Sequence, residues 1–412
     1  MRILIIILLI IPSLLFASKI LIYMDSNQTD HLKAYGVVYY CLQQGHNVEW
    51  LLNYRGGSFL LPALTELENR LRIDGVSYTL VNGTEIAQIY KVIEENNMDR
   101  VILEKAAKLA IYIPPHPEMW DDAVVLALDY ANVPYATLWD PEILAGELSK
   151  YDWLHCHHED FTGQFGKFYA SFGNTAWYKK TVAISKKTAR ELGFNKVPEL
   201  KKAVAVKIKE YVADGGFLFG MCSMTDTYDI ALSALNLDIV PAVFDGDPPD
   251  PNCQEKLNYD ATLAFTDFTL EMNPYVYEFS DIDVSPNEVA QSRYFTLFDF
   301  SAKYDPVPTM LVQNHTAVVK DFLGQTTGYR KKLIKNTVRI MGEYPEIGVA
   351  KYIHGNLGKG TFTFLAGHDP EDYRHLVGDP PTDLNLHKNS AGYRLILNNI
   401  LFPAAKKKKL KT

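Results

Sequence analysis

A chain of 412 residues, 47% hydrophobic and 22% charged, is long enough for two domain-sized units and apolar enough to bury a core, which excludes a disordered or collagen-like polypeptide. Its net charge of −8 excludes a general nucleic-acid binder, because neutralising phosphates needs a basic face. Four cysteines (Cys41, Cys156, Cys222 and Cys253) are too few for a disulfide scaffold, leave room for one disulfide, and form no C-x-x-C zinc pattern.

The chain begins with Met1-Arg2 and an apolar run from Ile3 to Phe16, followed by the small Ala17. Residues 1–17 read as an export signal, too short to span a bilayer comfortably and followed by polar sequence. The expected location is periplasmic or secreted, with no later membrane span. Lys19–Asp25 (KILIYMD) reads as a buried parallel strand, His31–Gln44 as a helix closed by Gly45, and Asn47–Asn53 as the next strand. Arg55-Gly56-Gly57 marks a loop. Leu64–Asp74, Val76–Val81 and Glu85–Asn97 read as helix, strand and helix, so residues 18–105 form an N-terminal α/β unit of βαβ type.

The alternation restarts at Lys108–Pro114 (KLAIYIP), and residues 106–405 read as a second domain. Asp121–Asn132 is helix, Pro134–Leu138 strand and Pro141–Leu148 helix. Asp152–His155 is strand, Lys196–Asp214 helix, Gly216–Met221 strand and Thr225–Leu235 helix. Residues 241–314 are turn-rich, aromatic and aperiodic, and read as an insertion covering one end of the sheet. Val349–His354 and Gly360–Ala366 form a hairpin around Gly355–Lys359, Tyr393–Leu401 is a closing helix, and 406–412 is a basic tail. The fold class is α/β with a doubly wound parallel sheet.

Ligands of open parallel sheets sit beyond the carboxyl ends of the strands, so the residues after each strand carry the chemistry. Cys222 follows the apolar strand GFLFGM and opens a helix, where the partial positive charge of the N-terminus favours the thiolate. Gly220 allows the tight turn. His368, in Ala366-Gly367-His368-Asp369-Pro370-Glu371, is placed as a general base with Asp369 or Glu371 to orient it. His155-Cys156-His157-His158-Glu159-Asp160 is dense in metal-capable side chains, but its spacing matches no standard metal site. Convergence on a metal would need His368 or His375. Without a metal, His157, His158, Glu159, Asp160 and His368 wall a polar binding pocket. No phosphate loop is present, and no cofactor is expected.

A strand, a Cys elbow, a helix and a later strand ending in His-x-x-Glu together resemble the class I glutamine amidotransferase-like superfamily, from about Lys108 to the C-terminus. The resemblance implies a flavodoxin-like sheet, Cys222 as nucleophile, His368 as base and Glu371 or Asp369 as the acid. The elbow here is Gly220-Met221-Cys222-Ser223-Met224, with Met224 where the superfamily has a second Gly, and the acid lies one residue further on. The trehalose-utilisation-like branch, whose members often lack a working triad, has a similar Gly-His ending. Leu52–Phe59 and Gly367–Tyr373 also resemble exported bacterial proteins labelled asparagine synthetase B. The residues such a synthetase needs are missing: Arg2 stands where a Cys would follow Met1, and no S-G-G-x-D-S loop is present.

The leading expectation is an exported cysteine-dependent amide hydrolase or glutamine amidotransferase-like protein, acting on a small-molecule or carbohydrate/amide substrate. Two readings stand beside it. One is a carbohydrate-binding relative with Trp139 and Trp153 stacking on sugar faces; the other is a metal-dependent hydrolase.

Overall fold

The computed structural model describes residues 18–115, 119–284, 286–289, 294–372 and 376–406. The expected export signal, His375 and nearly all of the basic tail lie outside the described residues. The first five strands are β1 (Lys19–Ile22), β2 (Val48–Leu52), β3 (Ser58–Pro62), β4 (Thr79–Val81) and β5 (Asp99–Leu103). They form one sheet in the order β4-β1-β3-β2-β5, and every pairing is antiparallel. The expected parallel βαβ unit is therefore corrected. Residues 53–57 reverse the chain between β2 and β3 through positive φ at Asn53, Arg55, Gly56 and Gly57, making a hairpin. A Cβ on Gly56 would stand 2.2 Å from the Met24 carbonyl oxygen, so only glycine fits this turn.

The second sheet contains β6 (Leu109–Tyr112), β7 (Ala136–Leu138), β8 (Trp153–Cys156), β9 (Phe217–Met221), β10 (Tyr294–Leu297), β11 (Val318–Lys320), β12 (Tyr329–Arg330), β13 (Arg339–Tyr344), β14 (Val349–Leu357) and β15 (Gly360–Leu365). Its order is β11-β10-β13-β14-β15-β9-β8-β6-β7, with β12 beside β14. The half β7-β6-β8-β9-β15 is parallel, and the half from β15 through β14 and β13 to β10 and β11 is antiparallel. The molecule is thus α/β with a large mixed sheet.

Both faces of the parallel half are buried. Leu109, Ile111, Trp153, Phe217 and Phe219 pack into one core with the helices His31–Gln43, Ala123–Ala131 and Ala391–Leu401. Ala110, Tyr112, Leu154 and Leu218 pack into the other, under the helices Val197–Asp214 and Met224–Ser233. Burial on both sides is why these strands read as unbroken apolar runs. The first core also takes in Ile20, Trp50 and Leu103, so it runs from the first sheet into the second.

The expected insertion is partly part of the sheet, since β10 lies within it. The irregular stretch before β10 is pinned by Asp229, whose buried carboxylate accepts the backbone N–H groups of Leu263 (2.6 Å), Ala264 (2.7 Å) and Phe265 (2.9 Å). The predicted hairpin is present, but β14 runs on to Leu357 and the turn narrows to Gly358-Lys359. All four cysteines are free and buried, so the disulfide left open by their number is not formed. No helix of the described residues is long and apolar enough to cross a membrane.

His354 on β14 is buried beside Thr363, and burial, followed by the nearby Arg339 charge, pushes its pKa down to about 4. Unfolding frees it to bind a proton between about pH 4 and 6.5, so its stabilisation is complete above pH 6.5 and is lost as pH falls toward 4. Between pH 7 and 5 this group alone should remove about 2 kcal/mol. Urea unfolding of the wild type and of His354→Gln at both pH values should show a correspondingly smaller acid loss in the variant.

Candidate functional site

Three loops at the carboxyl ends of β8, β9 and β15 are tied together by hydrogen bonds to backbone carbonyls. The Cys222 N–H donates to the Gly367 carbonyl (3.1 Å), the Met224 N–H to that of His157 (3.2 Å), and Ser223 Oγ to that of His158 (3.0 Å). Cys222 itself makes the sharp turn, at φ 50°, and the helix Met224–Ser233 follows. Gly220 serves a different purpose from the one expected. It lies in β9, where a Cβ would meet Met224 Sδ at 2.5 Å and Phe364 at 2.9 Å, so its smallness makes room for packing.

The same three loops gather His157, His158, Cys222 and His368. One ligand atom from each lies within 4.8 Å of every other. Ring centroids are 4.2 Å apart for His157–His158, 4.6 Å for His157–His368 and 4.7 Å for His158–His368. His157, His368 and Cys222 are buried, while His158 is half-buried. The convergence that the sequence made conditional on His368 or His375 is met by His368.

A fourth loop, after β6, supplies the surrounding carboxylates. Asp122 caps the helix Ala123–Ala131, accepting the N–H groups of Val124 (2.7 Å) and Val125 (3.1 Å). Its Oδ1 also lies 3.1 Å from His157 Nδ1 and 3.5 Å from His155 Nε2. Burial opposes ionisation of Asp122, but the two imidazoles outweigh it and hold the carboxyl well below its usual range. Asp121 Oδ1 lies 3.6 Å from His368 Nε2, and the Asp121 carbonyl is 3.1 Å from His158 Nε2. A carbonyl only accepts, so His158 carries a proton on Nε2. His157 Nε2 is buried with no hydrogen-bond partner among the described residues.

The acid expected for His368 is corrected. Glu371 faces His387 instead (3.2 Å), and Asp369 accepts the Tyr393 hydroxyl (2.7 Å) and the Glu371 N–H (2.8 Å). The carboxylate beside His368 is Asp121, which sequence reading missed because the Asp121-Asp122 pair looks like an ordinary helix start. Its position directly after the first parallel strand was the available signal. The expected low thiol pKa is also corrected. Burial pushes Cys222 up to about 12, against backbone N–H groups of Ser223 and Gln325 that favour the thiolate.

Glu159 and Asp160 shape the loop. Glu159 accepts the His157 N–H (2.7 Å), and Asp160 accepts the N–H groups of Thr162 (2.7 Å) and Gly166 (3.0 Å) and the Thr162 hydroxyl (2.5 Å). Trp153, expected to stack on sugars, is fully buried against Phe219 and His155. Trp139 lines a cavity of about 310 Å³ that reaches His158. Its far wall is the helix Ala176–Glu191, which sequence reading did not identify.

Fold and site together define an α/β protein with a histidine–cysteine cluster beyond its parallel strands. No family model and no curated protein matches the chain. Among solved structures it is similar to a cytoplasmic protein from Salmonella typhimurium at 11% identity and TM-score 0.37, covering 73% of this chain and 100% of that one. A second cytoplasmic protein from Salmonella typhimurium LT2 gives 13% identity and TM-score 0.36, covering 72% and 99%. A GH42 beta-galactosidase from G. stearothermophilus gives 12% identity and TM-score 0.29, covering 66% of this chain and 29% of that one.

Proposed function

We propose that the chain is a metal-dependent hydrolase on a doubly wound, flavodoxin-like scaffold. The scaffold reading is supported by the chain order of the five parallel strands, which runs 2-1-3-4-5 across the sheet. The observation that carries the hydrolase reading is the pairing of inner and outer contacts around the cluster. His158 Nε2 is hydrogen-bonded to a carbonyl, while His157 Nδ1 and His368 Nε2 stand 3.1 and 3.6 Å from the Asp122 and Asp121 carboxylates. An outer partner of this kind orients a metal-ligating histidine and fixes its tautomer. The buried, orphaned Nε2 of His157 is what a metal ion would satisfy.

His157, His368 and Cys222 would hold a divalent ion of the zinc class, for which imidazole and thiolate are suited donors. Bound there, the ion would supply Lewis acidity and an acidified water. His158, on the cavity side, would take the proton of the attacking water. The acyl–nitrogen or acyl–oxygen bond breaks, the water oxygen goes to the acyl carbon, and the proton passes to the leaving amine or alcohol. The test is hydrolysis of 4-nitrophenyl esters and anilides before and after metal removal with dipicolinate. Activity should vanish on removal and return with zinc; activity unchanged by removal would end the reading.

A second reading keeps Cys222 as nucleophile, with His368 as base and Asp121, in place of Glu371, as the orienting acid. It is supported by the left-handed backbone of Cys222, as a nucleophile elbow requires, and by the Ser223 and Gln325 N–H groups at the sulfur. Rapid alkylation of Cys222 by iodoacetamide at neutral pH, with metal-independent activity, would favour it.

A further inference from the structure

The cavity beside the cluster carries an inference about substrate class, which rests on the metal-hydrolase reading for the reaction but not for the binding. His158 belongs both to the cluster and to the cavity wall, so a group seated in the cavity adjoins the reacting atoms. Trp120, Trp139, Phe168 and Trp177 supply the main walls. Trp120 is stacked on Phe168 (4.7 Å) and meets Trp177 edge-on (5.8 Å), so these rings brace one another. Trp139 is backed by Tyr112 at 4.7 Å.

Three of the polar side chains around these rings are already engaged, while Trp139 Nε1 is buried with no hydrogen-bond partner among the described residues and Tyr178, Lys180, Thr181 and Ser185 also line the cavity. Lys201 Nζ lies 3.0 Å from Asp140 and 2.9 Å from the Tyr112 hydroxyl, and sits over the Trp139 ring at 3.9 Å. The Asp160 carboxylate is taken by Thr162 and Gly166, and Glu159 accepts the His157 N–H. A sugar seated here would set most of its hydroxyls against aromatic walls, and each hydroxyl left without a partner carries a desolvation cost. An apolar ring would shed water from both surfaces at no such cost.

We infer that this cavity receives an aryl or branched apolar group attached to the scissile ester or amide, in preference to a carbohydrate. The test is ligand-observed NMR titration of the full chain with phenylacetamide, acetamide and methyl glucoside, none of which chelates metal, with zinc content measured on the same sample. Phenylacetamide should bind about tenfold or more tightly than acetamide, as burial of one aromatic group allows, and methyl glucoside should not saturate. Trp177→Ala should cut that preference, and Ser185→Trp, which fills the cavity from the same helix, should abolish phenylacetamide binding without changing zinc content. Equal binding of the two amides, saturable glucoside binding, or a Ser185→Trp protein that still prefers phenylacetamide would overturn the inference. The preference found in protein that takes up no zinc would uphold the cavity and defeat the metal reading alone.

Discussion

Replacing His368 by alanine is expected to lower the affinity of the chain for zinc by at least roughly a hundredfold, above the range seen when only an outer-shell partner is lost. His368 is buried, with its Nε2 facing Asp121 and its ring against those of His157 and His158. Removing it takes out a proposed ligand and leaves its neighbours beside a void. Asp122→Asn should be milder, about 10- to 100-fold, because the helix cap survives in part while the charge that orients His157 is lost. Competition with a chromogenic chelator gives both affinities. If His368→Ala matched the wild type, His368 would not be a ligand.

Asp229→Ala is expected to have the largest effect on stability away from the site, about 3–5 kcal/mol. One carboxylate accepts three consecutive backbone N–H groups at 263–265, all in the interior. Alanine leaves those donors unpaired, since no other side chain among the described residues accepts from them. Asp229→Asn keeps one acceptor oxygen and should lose roughly half as much. Urea denaturation at pH 7 measures both. A loss under about 1 kcal/mol for Asp229→Ala would mean that this loop is held by its apolar contacts.

The parallel strands β6, β8, β9 and β15 were legible because burial on both faces removes polar residues from them. The first sheet was not. KILI and VEWLL are as apolar as parallel strands, and β3 hides behind an Arg-Gly-Gly turn whose hairpin geometry depends on positive φ values that composition does not reveal. The positions of Cys222, His157, His158 and His368 after strands were readable, and the structure brings them together. Their carboxylate partners were not readable, since spacing along the chain says little about where a loop turns. Glu371, three residues from His368, is carried away to His387, while Asp121, some 247 positions earlier by number (368 − 121), faces the ring. The helix Ala176–Glu191 was also unread, and with it one wall of the cavity; exposed residues dominate it, and only Tyr178 and Ala189 are buried.

The most direct measurement is the metal content of the full chain, purified without a polyhistidine tag, followed by cobalt substitution. The account predicts one transition-metal ion per chain and, with cobalt, a thiolate-to-metal charge-transfer band that disappears in Cys222→Ser. A folded protein that holds no stoichiometric metal, takes up no cobalt, and has a Cys222 that alkylates readily would contradict it.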